Sequence, residues 1–188
     1  MGRSVKLHEL VYKFTHVLPQ TSFNTVYDEF SPQYNNWFYK TEFQSNDPRI
    51  HQHPRRLGLA KPNGVKPSLG WSLPIIDAGV HLQLIANHTL QQQLSLFRIN
   101  TNIQFFGQES TFHTDGPLHT WSFLLFMNQS WNTEWGGNFI LRLNQEDYIS
   151  VIPSPNTGIL FPAHLYHKGD APNRLAMIPR LSIAYTYK

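Results

Sequence analysis

The 188-residue chain contains no cysteine, which excludes disulfides, thiolate metal sites and cysteine nucleophiles. A bound metal must therefore be held by histidine and carboxylate side chains. No apolar stretch approaches a membrane-spanning length, and charged residues make up only 14% of the chain, with no long block of lysine and arginine. The sequence thus predicts no membrane contact and gives little support for nucleic-acid binding, although its pI is near 9.2.

The rest of the composition is that of a folded protein. Hydrophobic residues account for 40% of the chain and aromatic residues for 14%, so a substantial core can form without covalent staples. The length predicts one domain over residues 1–188. Residues 1–10 include Arg3, Lys6 and Glu9 but no apolar run, so no signal peptide is expected and a soluble, cytoplasmic protein is the default interpretation.

The first half of the chain suggests helices. Apolar residues at helical spacing run from Leu7 to Leu18 and predict a first amphipathic helix that ends near Pro19. A second helical segment, rich in aromatic residues, is predicted over Tyr27–Phe43. A third is predicted near Ile75–Leu90, lying against a sheet. We therefore expect residues 1–93 to form helical and loop support for the second half of the chain.

Residues 45–74 are rich in proline and glycine and are predicted to form a long loop. A loop of this length in a compact domain is usually a functional lid or a disordered segment. We predict a lid, with Arg55 and Arg56 facing the substrate entrance. The nearby His51 and His53 have a metal-like spacing, but surface histidines are the simpler interpretation.

From about Leu94 the pattern changes to short runs of β-branched and aromatic residues separated by turn signals. The predicted strands cover Leu96–Phe106, Trp121–Met127, Phe139–Leu143, Tyr148–Ile152, Gly158–Phe161 and Leu181–Tyr187. Evenly spaced short strands favour a sandwich or a barrel-like β fold. Residues 94–188 are therefore the expected β core of an α+β protein that is mainly β.

His113 and Asp115 alternate along what we predict to be the end of a strand, so both side chains point to the same side. With His167 they offer two imidazoles and one carboxylate, which is the ligand set of a non-heme Fe(II) centre with open positions. The alternative interpretation without a metal is that His113 is a surface histidine beside an aspartate in a turn. The neighbouring His164 is an alternative to His167 as the second histidine ligand.

Five segments in order carry a family resemblance. They are residues 102–115, residues 123–128, residues 135–139, residues 158–162 followed by His167, and residues 180–182. Together they resemble the Fe(II)/2-oxoglutarate dioxygenases, most closely the prolyl 4-hydroxylase-like branch, over about Leu96 to Lys188. The resemblance implies a distorted double-stranded β-helix, jelly-roll or cupin-like, with N-terminal helices that buttress one sheet.

The resemblance also implies roles for single residues. His113, Asp115 and His167 become the iron ligands, and His167 is preferred to His164 because it lies nearer the family's position after the Phe-Pro strand end. Arg180 would bind the distal carboxylate of 2-oxoglutarate through two parallel hydrogen bonds. Ser182, two residues along the same strand face, would donate another hydrogen bond.

The chain departs from the prolyl hydroxylases at two positions. Gln104 stands where a tyrosine usually touches 2-oxoglutarate, and Arg180 stands where a lysine is common. Neither change harms 2-oxoglutarate chemistry, but both weaken the inference that the substrate is proline. Asp115 is present where halogenating relatives have a small residue, so oxygen insertion is favoured over halogenation.

The resemblance implies a hydroxylase that uses Fe(II), 2-oxoglutarate and O2, with ascorbate as a candidate auxiliary reductant. The leading substrate is a prolyl residue in a peptide, and the alternative is a free amino acid or a small metabolite. From a different class, the chain is a metal-free jelly-roll binding module that kept the fold and lost the chemistry. The sequence leaves the oligomeric state open.

Overall fold

The computed structural model describes residues 4–30, 37–39, 57–59 and 71–188. Two antiparallel sheets and two α-helices, with one short 3-10 helix at Thr133–Trp135, make up this part of the chain. The strands are β1 (Ser4–His8), β2 (Val11–Thr15), β3 (Trp37–Tyr39), β4 (Leu57–Leu59), β5 (Leu96–Gln104), β6 (Trp121–Phe126), β7 (Phe139–Arg142), β8 (Tyr148–Val151), β9 (Thr157–Pro162), β10 (His167–Gly169) and β11 (Arg180–Tyr187), and the helices are α1 (Gln20–Phe30) and α2 (Leu73–Leu90).

The major sheet has eight strands in the order β1-β2-β9-β6-β11-β5-β4-β3. Strand β11 lies near its centre, and all eight of its residues are buried because both faces of the sheet are covered. Helix α2 packs on one face. The hydroxyls of Tyr185 and Tyr187 donate to the main-chain oxygens of Ile75 and Gly79 at 3.1 and 2.9 Å, so two large rings bind the helix to the sheet.

The minor sheet has three strands in the order β10-β7-β8. It faces the other side of the major sheet, and a second apolar cluster fills the space between them. That cluster includes Phe126, Phe139, Leu141 and Phe161. The predicted double-stranded β-helix is confirmed: two antiparallel sheets enclose a core, and α1 and α2 cover the outer face of the larger one.

The predicted helix over Leu7–Leu18 is wrong. Residues 4–15 form the β1-β2 hairpin, which extends the major sheet because β2 pairs with β9. Two of the apolar side chains that suggested a helix, Leu7 and Leu10, are in fact exposed. The segment is rich in β-branched and aromatic residues, and the open edge of β9 offered main-chain partners that outweighed the helical spacing.

The other predictions for the first half of the chain agree with the structure to different degrees. The helix near Ile75–Leu90 is confirmed as α2. The predicted Tyr27–Phe43 helix is right only for its first residues, which end α1, and is wrong at Trp37–Tyr39, which is strand β3. The loop over 45–74 is interrupted by β4 and ends at α2; residues 45–56, including His51, His53, Arg55 and Arg56, and residues 60–70 lie outside the described part.

All six strands predicted from Leu96 onward are confirmed, whereas β10 was not predicted. Three residues are too few to show an alternating pattern, so only pairing with β7 reveals this strand. Of the helices in the described part of the chain, none is both long and apolar enough to cross a membrane. The single-domain organisation of residues 1–188 stays a prediction.

Candidate metal centre

His113, Asp115 and His167 lie together at the interface of the two sheets. One ligand atom from each, a ring nitrogen or a carboxylate oxygen, lies within 4.8 Å of the other two. Main-chain hydrogen bonds join the two histidines: His113 N donates to His167 O at 3.0 Å and His167 N donates to His113 O at 2.9 Å. This isolated bridge carries both imidazoles to the same side, with ring centroids 4.5 Å apart.

Each imidazole is held through its Nδ1 atom. His113 Nδ1 lies 3.0 Å from the main-chain oxygen of Thr111, and His167 Nδ1 lies 2.9 Å from that of Leu165. A carbonyl oxygen can only accept, so in the neutral ring Nδ1 carries the proton and Nε2 keeps its lone pair. Both histidines are thus prepared to coordinate through Nε2, the arrangement typical of metal-binding histidines.

The surroundings of Asp115 favour an ionised carboxylate. Burial on its own would raise the pKa of Asp115, but when the two rings are protonated in the metal-free protein, the hydrogen bond and charge of His167, the charge of His113 and the hydrogen bond from Ser122 outweigh it and hold the pKa well below its usual range. Ser122 Oγ donates to Oδ2 at 2.7 Å. His167 Nε2 lies 3.4 Å from the same oxygen. An anionic ligand is therefore ready at the centre.

The expectation that His113 and Asp115 sit on a strand is wrong. Strand β5 ends at Gln104, and residues 105–120 contain only the single bridge at His113. Asp115 is held instead by its own N–H, which donates to the oxygen of Ala163 at 2.8 Å, and by side-chain contacts. The two ligands still converge because His167 on β10, Ala163 just after β9 and Ser122 on β6 anchor them, which no strand pattern in the sequence could show.

Arg180, at the start of β11, is 3% exposed and seated against two glycines. Its Nη1 donates to the oxygen of Gly137 at 3.0 Å. A Cβ built on Gly169 would lie 2.8 Å from the guanidinium carbon, so a side chain there would push the guanidinium out of its present position. Gly169 ends β10 two residues after His167. This short strand therefore connects the site of Arg180 to the metal centre.

Gln104 is the cross-strand partner of Arg180, and Ser182 follows Arg180 on the same face of β11. The Gln104 amide donates to the oxygens of Gln108 and Gly169 at 2.6 and 2.9 Å, which fixes its Oε1 as the acceptor. That Oε1 and the Ser182 hydroxyl are buried without a partner among the described residues. We call Arg180, Gln104, Ser182 and Gly169 the Arg180 cluster; its buried cation and the Ser182 hydroxyl, which can donate, fit an anionic ligand, whereas the Gln104 Oε1 can only accept.

Sequence reasoning missed the residues that support these groups. Ser122, Gly137 and Gly169 act only through contacts between distant strands, and no local motif marks them. Other histidines and tryptophans near the site have different surroundings, and His119 is exposed. Trp131 packs against Gly137, where a Cβ would lie 3.0 Å from its ring. His164 lies in the turn after β9, and its buried Nδ1 has no partner in the described part of the chain.

Two histidines and an aspartate on a jelly-roll scaffold are a ligand set typical of the non-heme iron oxygenases, and the comparisons with known proteins agree. Residues 100–188 match the family model of the 2OG-Fe(II) oxygenase superfamily. The match supports the predicted superfamily, with Fe(II) and 2-oxoglutarate, for this part of the chain. No curated protein matches the chain at a significant level.

Solved structures give the same fold. A prolyl-4-hydroxylase from Pseudomonas putida is 17% identical with a TM-score of 0.71, covering 95% of this chain and 92% of its own. The α-ketoglutarate-dependent epimerase SnoN from nogalamycin biosynthesis is 14% identical with a TM-score of 0.69, covering 95% and 77%. A Trichoplax adhaerens prolyl hydroxylase, solved with a hypoxia inducible factor peptide, is 14% identical with a TM-score of 0.60, covering 94% and 82%. At these identities the likeness shows the fold alone.

Proposed function

We propose that the chain is an Fe(II)- and 2-oxoglutarate-dependent hydroxylase in which His113, Asp115 and His167 hold the metal. The single observation that carries the proposal is the three-residue cluster, with ligand atoms within 4.8 Å of one another and both Nε2 atoms left for coordination. Two nitrogens and one carboxylate oxygen on one face leave positions open for cosubstrate and O2. When bound, iron would allow O2 to act as the oxidant, with two of its four oxidising equivalents taken up by 2-oxoglutarate, which loses CO2 to give succinate, and two by the C–H bond.

The chain's own residues then bind, orient and exclude water. Arg180 pairs with the distal carboxylate of 2-oxoglutarate, because a buried guanidinium stays charged and can donate two parallel hydrogen bonds. The Ser182 hydroxyl donates to the same group. Gln104 acts mainly by bracing Gly169, since its amide protons are already bonded to main-chain oxygens. The rings of Phe139 and Phe161 pack on His167 and exclude water from that ligand.

A prolyl residue in a peptide is the first substrate class to test, supported by the fold likeness to two prolyl hydroxylases. A free amino acid or small metabolite is the alternative, supported by Gln104 and Arg180, which differ from the residues common in prolyl hydroxylases. A panel of proline peptides and metabolites, scored for succinate release, tests both. Succinate release with peptides alone supports the first class, and no iron-dependent release from any compound argues for a binding module.

Gly169→Ala is expected to weaken 2-oxoglutarate binding by about tenfold or more, because a Cβ would displace the guanidinium of Arg180 and small misplacements of a positioning group are costly. Calorimetric titration of the metal-loaded protein with 2-oxoglutarate measures this. Metal affinity should change less than about twofold. Lys168→Ala, one residue earlier on β10, is the matched control. An equal loss of 2-oxoglutarate affinity in both variants would mean that strand β10 as a whole was disturbed, and not the position of Arg180 in particular.

The two distal histidines are expected to behave differently. His167→Ala should inactivate the enzyme and weaken metal binding, because it removes one of three protein ligands. His164→Ala should keep most of the turnover, because His164 lies outside the cluster. Metal content and succinate release of both purified variants give the answer. An inactive His164→Ala beside an active His167→Ala would contradict the assignment.

A further inference from the structure

Arg98, in β5, reaches across to the carboxylate residue of the metal centre. Its Nη2 donates to the main-chain oxygen of Asp115 at 2.5 Å and lies 3.7 Å from Asp115 Oδ1. The same nitrogen donates to Thr186 Oγ1 at 3.3 Å. Thr186 is the cross-strand partner of Arg98 on β11, so the guanidinium is itself anchored to the centre of the major sheet.

Asp115 needs such support because it lies outside any strand. Its N–H is bonded to Ala163 and its Oδ2 to Ser122, which leaves the carbonyl group and Oδ1 facing Arg98. Rotation of the Asp115 peptide or carboxylate would break the contact with Arg98. The guanidinium thus connects a ligand in an irregular segment to a strand that is buried along its whole length.

We propose that Arg98 is a positioning residue of the metal centre, which fixes the main chain and carboxylate of Asp115 in the orientation that the metal requires. The proposal rests on the proposed function only through its metal site. It makes a prediction of definite sign. A cation beside the centre repels a divalent metal, so a purely electrostatic role predicts tighter metal binding once Arg98 is removed. A positioning role predicts weaker binding.

The test is a titration of the metal-free protein with Mn2+ or Co2+, without 2-oxoglutarate or substrate, so that turnover plays no part. Arg98→Met, which keeps most of the apolar stem, should bind either metal about tenfold more weakly or worse. The visible absorption of bound Co2+, which reports ligand geometry, should also change. Arg174→Met removes one positive charge from an exposed loop residue and should leave affinity and spectrum unchanged.

The Thr186→Val variant provides an independent test of the same proposal. The substitution is nearly isosteric at a buried site and removes only the anchor of Arg98. Alone it should weaken metal binding by about two- to fivefold, the equivalent of one lost hydrogen bond. Added to Arg98→Met it should cause little further loss, because both changes act through one contact. Fully additive losses would contradict the proposed chain from Thr186 through Arg98 to Asp115.

Unchanged or tighter metal binding in Arg98→Met, with thermal unfolding showing an intact fold, overturns the proposal. If Arg98→Met does not fold, Arg98→Lys and Thr186→Val decide it, and wild-type affinity in both is the overturning result. His113→Ala separates the two levels of inference. Wild-type metal binding in His113→Ala would refute the metal site itself. Weaker metal binding in His113→Ala, together with wild-type binding in Arg98→Met, would refute only the positioning role of Arg98.

Discussion

Asp115→Ala and His113→Ala should each abolish 2-oxoglutarate turnover and strongly weaken Fe(II) binding. Each removes one of three protein ligands, and the two that remain form an incomplete site. For Asp115 the loss is also electrostatic, because the ionised carboxylate, with its lowered pKa, is the only anionic group in the cluster. Metal content after anaerobic loading, together with succinate release, measures both effects.

The circular dichroism of both variants should stay close to that of the unmodified protein, because the ligands project from an already formed scaffold. Asp28→Ala is a suitable control, since it removes an exposed carboxylate from α1. Iron retention by both Asp115→Ala and His113→Ala at the level of this control would refute the ligand assignment.

Arg180→Leu should raise the KM for 2-oxoglutarate by at least about thirtyfold while leaving metal binding nearly intact. Removing one partner of a buried charge pair costs about 2–5 kcal/mol, much of it from stranding the other charge, and each 1.4 kcal/mol is about tenfold in affinity. Arg180 is 3% exposed, so water cannot readily take over its role. Initial rates at varied 2-oxoglutarate, with direct titration of the cosubstrate, separate binding from turnover.

Two milder variants sharpen this test. Arg180→Lys should be impaired less than Arg180→Leu, because an ammonium keeps the charge but cannot form two parallel hydrogen bonds. Ser182→Ala should cost least, on the order of 1 kcal/mol for one hydrogen bond. An Arg180→Leu enzyme with an unchanged dependence on 2-oxoglutarate would show that the cosubstrate binds elsewhere.

The second half of the chain was predictable because its signals are local. Every long strand from β5 onward has its own run of β-branched and aromatic residues with turn residues between, and α2 shows as an apolar segment behind Ser72 and Pro74. The first hairpin was not predictable. Leu7, Leu10 and Val11 satisfy helical spacing, and only the open edge of β9 makes residues 11–15 a strand.

The sequence by itself determined the chemistry available to this protein: two histidines, one aspartate and one arginine in a family order, with no cysteine to compete for a metal. The tertiary structure decided how those groups are held. Asp115 converges on His113 and His167 through the oxygen of Ala163, the hydroxyl of Ser122 and the guanidinium of Arg98, and Arg180 fits because Gly169 has no side chain. These contacts join residues from different segments of the fold, and no local sequence pattern specifies the packing between two sheets.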